Sequence, residues 1–261
     1  MAYTRSNMWI EREDPRDASK SIHLFGVLRV PDKATSPLPA VICCHGFTAN
    51  HKEADPYAKA LANAGIASLS IDFFGGGAHV RSDGTLLDMT VETEADDVVA
   101  FVDALAAMPE IDEHRIGLLG CSQGGFVVTM VASRIPERIW GLALMYPAYV
   151  LHDDALRLYP NADEVPDTYC AFPDQEFSRI SRAYNLAARA IDPYELMPRY
   201  ERPTLIVHGD ADIVVPLRYS RRAVKAFPQA RLEVNDAGTH GFTGEQLKRA
   251  AKLVTEFFGS N

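Results

Sequence analysis

The sequence predicts an α/β fold: a doubly wound, mostly parallel sheet with flanking helices and one long insertion. Three observations carry this expectation. Short apolar runs alternate with longer helical patterns from residue 40 onward, the runs are apolar at successive positions, and one 49-residue stretch breaks the rhythm. Strands that are apolar on both faces belong in a parallel sheet covered by helices on each side. The repeated strand–helix–strand alternation implies right-handed crossovers.

Taken in order, residues 7–12 and 22–30 read as extra antiparallel strands ahead of the alternating unit, the second ending at Pro31. Residues 40–44 (AVICC), 65–73 (GIASLSIDF), 115–121 (RIGLLGC), 141–145 and 203–208 (PTLIVH) are the apolar runs, and residues 231–234 add a further strand. Helical patterns fall at residues 55–64, 92–108 and 122–135. The second of these brings Val98, Val99, Phe101, Val102 and Leu105 into helical spacing. Two more, at residues 220–227 and 244–258, follow the last strands.

The stretch 151–199 holds five prolines and no clear strand, and a long excursion of this kind is commonly a functional loop. Within it, Ile180, Tyr184, Leu186 and Ala187 are spaced for a helix over residues 178–191. Its nine acidic residues against five arginines argue weakly against strongly anionic substrates. The expected organisation is one domain over residues 1–261, because the candidate site residues span the chain and must converge, with 151–199 inserted.

Composition excludes several functions. Of 261 residues, 47% are apolar, which rules out wholesale disorder. The 26 Lys and Arg against 35 Asp and Glu give a net charge of −9, and no basic run exceeds Arg221-Arg222. Nucleic-acid and anionic-membrane partners need clustered cations and are not expected. The first 12 residues lack the apolar core of a secretory signal, and no stretch reaches the ~18–20 apolar residues of a spanning helix. Cys43 and Cys44 are neighbours on one strand and point to opposite faces, so they do not bond to each other, and no Cys-x-x-Cys pair suggests metal or redox work. A cytoplasmic protein without metal or cofactor fits these features, with oligomeric state open and a homodimer among the options.

Gly120-Cys121-Ser122-Gln123-Gly124 is a Gly-x-Ser-x-Gly where a strand ends and a helix begins. Such a turn pushes the serine out over the sheet edge, and the glycines leave room for close backbone packing. A serine hydroxyl is a weak nucleophile and needs a base oriented by a carboxylate. On this kind of sheet the partners follow in the order Ser, Asp, His. His240, in the glycine-flanked DAGTHGF, supplies the base. Asp210 and Asp212 both follow the strand PTLIVH; Asp212 lies further out, where it reaches a neighbouring loop, and Asp210 suits a turn. Two backbone N–H groups must stabilise the oxyanion. Gln123 and Phe47, in the loop His45-Gly46-Phe47-Thr48, are the expected donors.

Other candidates carry less. His45 precedes the serine and is expected to order its loop rather than act as a rival base. His208 reads as a satisfied core histidine, and Cys121 as a packed thiol. His23, His51, His79, His114 and His152 have no metal-ligand spacing, and Gly75-Gly76-Gly77 lacks a phosphate-binding framework and reads as a flexible active-site loop.

With HGFT (45–48), RSDG (81–84), GCSQGG (120–125), LIVHGDAD followed by VP, and GTHGF (238–242) in order, the chain resembles the α/β-hydrolase superfamily, and within it the bacterial feruloyl and cinnamoyl esterases. The resemblance implies Ser122, Asp212 and His240 as a triad, Phe47 and Gln123 as oxyanion donors, and a lid after the sixth strand. It settles the choice between the two aspartates. The loop 73–84 is longer than the family's usual form, and Cys121 stands where His is common. The expected activity is a metal-independent serine carboxylesterase acting on a small-molecule ester. Alternatives are a peptidase of the prolyl-oligopeptidase type, which usually carries an N-terminal propeller, and a weakly catalytic ligand-binding protein. A dienelactone-type hydrolase would need cysteine at position 122, and a dehalogenase aspartate.

Overall fold

The computed structural model describes residues 2–32, 37–77 and 79–260; Met1, residues 33–36, Ala78 and Asn261 lie outside the described residues. In chain order the elements are β1 (Tyr3–Asp14), β2 (Asp17–Pro31), β3 (Leu38–Cys44), α1 (Asp55–Asn63), β4 (Ala67–Asp72), α2 (Val91–Ala106), β5 (Ile111–Cys121), α3 (Gln123–Arg134) and β6 (Ile139–Met145). A segment with α4 (Val150–Leu158), β7 (Thr168–Cys170), β8 (Arg179–Ser181), α5 (Arg182–Ala190) and α6 (Pro193–Leu196) follows. Then come β9 (Thr204–Gly209), α7 (Arg218–Ala226), β10 (Ala230–Asn235) and α8 (Gly244–Ser260).

Among the described residues, eight strands form one sheet in the order β1-β2-β4-β3-β5-β6-β9-β10. Strand β2 pairs antiparallel with both β1 and β4, and every other pairing in the sheet is parallel. The expected mostly parallel α/β sheet is therefore present. The chain moves from β3 to β4 on one side, then passes back to β5 on the other. Ligand sites on such sheets lie outside the carboxyl ends of the strands where this reversal occurs. Here that point lies between β3 and β5, whose following loops carry Phe47 and Ser122.

Side-chain alternation along β3 divides the apolar interior in two. Val41 and Cys43 pack with Tyr57, Leu61, Phe257 and Phe258 of α1 and α8. Ile42 and Cys44 pack with Val98, Phe101 and Phe126 of α2 and α3. The two cysteines thus lie in different cores, and all four cysteines are free. Local chemistry sets the helix starts. Pro56 occupies the first turn of α1, where its missing N–H would be unpaired anyway. Thr90 caps α2 in a reciprocal box: the Thr93 N–H donates to Thr90 Oγ1 at 3.1 Å, and the Thr90 N–H to Thr93 Oγ1 at 2.9 Å. Arg29 of β2 is buried in an ion pair with Asp55 at the start of α1, which ties the antiparallel strand to the parallel core.

The structure departs from the sequence reading in places. Strands β1 and β2 run well beyond residues 7–12 and 22–30, and β5 starts at Ile111, because ladder pairing continues through polar positions that carry no apolar signal. The helix expected over residues 178–191 is α5, from Arg182 to Ala190. Residues 179–181 are instead a strand, because they pair with Thr168–Cys170 in a two-stranded hairpin.

Candidate active site

Ser122 sits at the β5–α3 junction with φ 51° and ψ −117°, outside the helical region, while Gln123 begins the helix. This turn is possible because the flanking positions lack side chains. A Cβ at Gly120 would lie 2.3 Å from the Gly124 carbonyl oxygen, and one at Gly124 would lie 2.4 Å from the His45 carbonyl oxygen. The same closeness brings the β3 loop against the serine, since a Cβ at Gly46 would be 3.0 Å from Ser122 Cβ. The first N–H groups of a helix have no partner within it. The Gln123 N–H is such a group, and Phe47 lies on the loop facing it across Gly46.

His240 Nε2 lies 2.9 Å from Ser122 Oγ, and His240 Nδ1 lies 2.8 Å from Asp212 Oδ2. An ionised carboxylate only accepts, so Nδ1 carries the proton and Nε2 is left to accept from the serine hydroxyl. Tyr146, with φ 40°, sets its ring edge-on to the imidazole at 5.0 Å and to Phe242 at 4.9 Å, and fixes the ring from the side.

Asp212 is the buried aspartate of its loop, and Asp210 is exposed. The N–H groups of Val214 and Val215 donate to Asp212 Oδ1 at 2.9 and 2.8 Å. His208 Nε2 stands 3.3 Å from Oδ2 and 2.8 Å from the Val215 carbonyl oxygen, while its Nδ1 meets Ser220 Oγ at 2.7 Å. Burial alone would raise the Asp212 pKa, but the hydrogen bonds from His208, His240 and Val215 outweigh it and hold the carboxyl well below the usual carboxylate range. His208 is a satisfied core histidine, as its sequence context suggests, yet it also braces the acid. Its spacing to Asp212, His-x-x-x-Asp, is the one sequence signal that could have pointed to this.

His45 is fully buried with both ring nitrogens engaged: Nδ1 lies 2.8 Å from the Gly46 carbonyl oxygen, and the Phe73 N–H donates to Nε2 at 3.2 Å. Burial lowers its pKa. It orders the loop and has no free nitrogen to act as a base. The glycine run is packed rather than open. A Cβ at Gly76 would lie 2.9 Å from the His45 ring, and Gly77 bridges to Thr48. Cys121 is fully buried in the α1/α8 core, and burial pushes its thiol pKa up.

Three residues beyond the sequence reading complete the surroundings. Tyr184 of α5 donates to Gln123 Oε1 at 2.5 Å, and Gln123 Nε2 donates to Glu94 Oε2 at 2.8 Å. The Phe47 ring lies between Tyr184 at 6.0 Å and Phe172 at 5.7 Å. An open cavity of about 710 Å³ flanks the loop of Asp212, between α4 and residues 213–219; within its lining Tyr219 pairs with Asp153 and Arg157 with Asp154. Among the described residues, no cluster of His, Cys, Asp and Glu is placed to hold a metal, and no helix is long and apolar enough to cross a membrane.

The family model described as serine aminopeptidase, S33, of the Hydrolase_4 group, matches residues 35–168, just over half of the sequence. The chain belongs to this family. This S33 hydrolase is also similar to Est1E from Butyrivibrio proteoclasticus, solved with ferulic acid bound: 26% identity, a TM-score of 0.84, and coverage of 96% of this chain and 98% of that one. It is 29% identical over 225 residues to the esterase FrsA of Serratia proteamaculans, covering 80% of this chain and 50% of FrsA. A Synechocystis protein whose name proposes a non-heme chloroperoxidase is 25% identical over 260 residues, covering 83% of this chain and 90% of that protein. The α/β-hydrolase family and the likeness to feruloyl-type esterases, expected from the motifs, both hold. The protein is an enzyme of the serine hydrolase class with esterase relatives.

Proposed function

We propose that the S33 hydrolase is a carboxylesterase acting through a covalent acyl-enzyme. The observation that carries this is the unbroken chain from Asp212 Oδ2 through His240 to Ser122 Oγ, with links of 2.8 and 2.9 Å. His240 Nε2 takes the Ser122 proton as Oγ attacks the ester carbonyl, and Asp212 holds the imidazole and offsets its developing positive charge. The backbone N–H groups of Gln123 and Phe47 donate to the tetrahedral oxyanion. Collapse releases the alcohol, protonated by His240. A water deprotonated by the same imidazole then attacks the acyl-enzyme and frees the acid.

A planar hydroxycinnamoyl or other small aromatic acyl group is the preferred acid portion. This is supported by the rings of Phe172 and Tyr184 against Phe47, the outward exposure of Phe172 and Phe177, and the ferulic acid bound in Est1E. Residues 151–199 serve as a lid inserted into one catalytic domain, which is supported by their packing on the core through Ile180 and Tyr184. Ser122→Ala removes the nucleophile, and about 10⁶-fold loss of p-nitrophenyl ester turnover is expected with folding intact. A fluorophosphonate probe should label Ser122 in the wild type alone. Undiminished turnover in the variant, or an unlabelled wild type, overturns the proposal. Parallel assay of aminoacyl p-nitroanilides tests the peptidase alternative; turnover of these above esters would favour it.

A further inference from the structure

We infer that Tyr184 is a positioning residue for the oxyanion hole, acting from the inserted segment through the Gln123 side chain, so that the hole is assembled only while α5 is docked. The inference rests on the esterase reading above. The two residues whose N–H groups form the proposed hole, Gln123 at the start of α3 and Phe47 in the loop after β3, come from different elements, and Tyr184 touches both. Its hydroxyl donates to Gln123 Oε1 at 2.5 Å, and its ring meets Phe47 at 6.0 Å.

The rest of the Gln123 amide is equally fixed. Nε2 donates to Glu94 Oε2 at 2.8 Å and faces Met89 Sδ at 3.7 Å. In the structure the amide oxygen accepts from the phenol while the nitrogen faces Glu94 and Met89. Tyr184, Gln123 and Glu94 are 5%, 1% and 1% exposed, so this is an interior polar chain. Burial holds the Glu94 carboxyl well above its usual range, and its Oε1 has no partner. Apolar residues would fill the space at lower free energy. None of the three side chains is needed for proton transfer between Ser122 and His240. What the chain does achieve is to clamp the first residue of α3, whose N–H is the proposed oxyanion donor. It does so across 61 residues of sequence, from the insertion to the nucleophile turn.

The test is Tyr184→Phe, which removes one oxygen and keeps the ring against Phe47. Loss of a whole oxyanion donor costs about 10²–10³ in kcat, so a loosened donor should cost about 5–30-fold in kcat with KM within about twofold. A trifluoromethyl ketone adduct on Ser122 carries the same oxyanion, and its Ki should rise by the factor by which kcat/KM falls. Binding of the product acid should not change. Gln123→Leu should lower activity similarly, and the double variant should be no worse than Gln123→Leu alone, because both changes break one link. If the Gln123 variant does not fold, the ketone comparison on Tyr184→Phe decides. Unchanged kcat in Tyr184→Phe, a ketone Ki that stays put while kcat/KM falls, or independent multiplicative effects overturn the inference. A wild type that neither turns over esters nor forms the ketone adduct overturns the esterase reading instead.

Discussion

Replacing Gly124 with alanine adds one methyl group at a close contact between the two halves of the proposed oxyanion hole. The new Cβ would stand 2.4 Å from the His45 carbonyl oxygen and 2.8 Å from that of Cys44. Both are backbone atoms and neither can swing aside, so the start of α3 and the end of β3 must part until the contact reaches at least 3.0 Å. Gln123 lies on one side of that contact and Phe47 on the other. Donors work at 2.7–3.1 Å from the oxyanion, so a shift of this size takes at least one out of range. The expected loss is about 10²-fold in kcat, with about 1–3 kcal/mol of stability from overpacking. Steady-state hydrolysis of a p-nitrophenyl ester reads the first and urea unfolding the second. Gly259→Ala, where the added methyl meets nothing within 4 Å, is the control. A Gly124→Ala enzyme with near-wild-type kcat would refute the placement of the hole between these backbones.

Asp212→Asn should lower kcat by about 10⁴, because an amide facing Nδ1 favours the wrong imidazole tautomer. The same variant should flatten acid unfolding. The carboxyl of Asp212 titrates below its unfolded value near 3.9, so its contribution is full above about pH 4 and is lost as pH falls toward 2, a loss followed by circular dichroism. Asp55→Ala leaves the Arg29 guanidinium buried without its carboxylate and should cost about 3–5 kcal/mol by urea titration, with kcat little changed. Phe172→Ala should raise KM for hydroxycinnamoyl esters about 2–10-fold, the worth of an aromatic contact, and leave acetyl esters unaffected in the same assay.

The parallel strands were legible because 40–44 and 203–208 are short apolar runs on both faces, a pattern that a sheet covered by helices produces. The turn at Ser122 was legible because the Gly120 and Gly124 contacts admit no side chain. Strands β7 and β8 were not, since three residues cannot show a period and their stability comes from pairing with each other. Ile180 fell into helical spacing with Tyr184 by coincidence of position, and the hairpin prevailed over the pattern. The link from Tyr184 through Gln123 to Glu94 joins residues 61 and 29 apart, and polar residues scattered so widely announce no partnership before the chain folds. The role of His208 was half visible: its apolar strand predicted burial, while its contact with Asp212 depends on how the following loop turns back.

The backbone at Ser122, with φ 51° and ψ −117°, sets activity and stability against each other at a single residue. Side-chain-bearing residues pay roughly 1–3 kcal/mol to hold such a conformation, and glycine does not. Glycine there would relieve that strain and, in the same change, remove the side chain proposed as the nucleophile. Laboratory selection of this enzyme for heat resistance alone would drift toward glycine at position 122, and only a simultaneous demand for turnover keeps the serine in place.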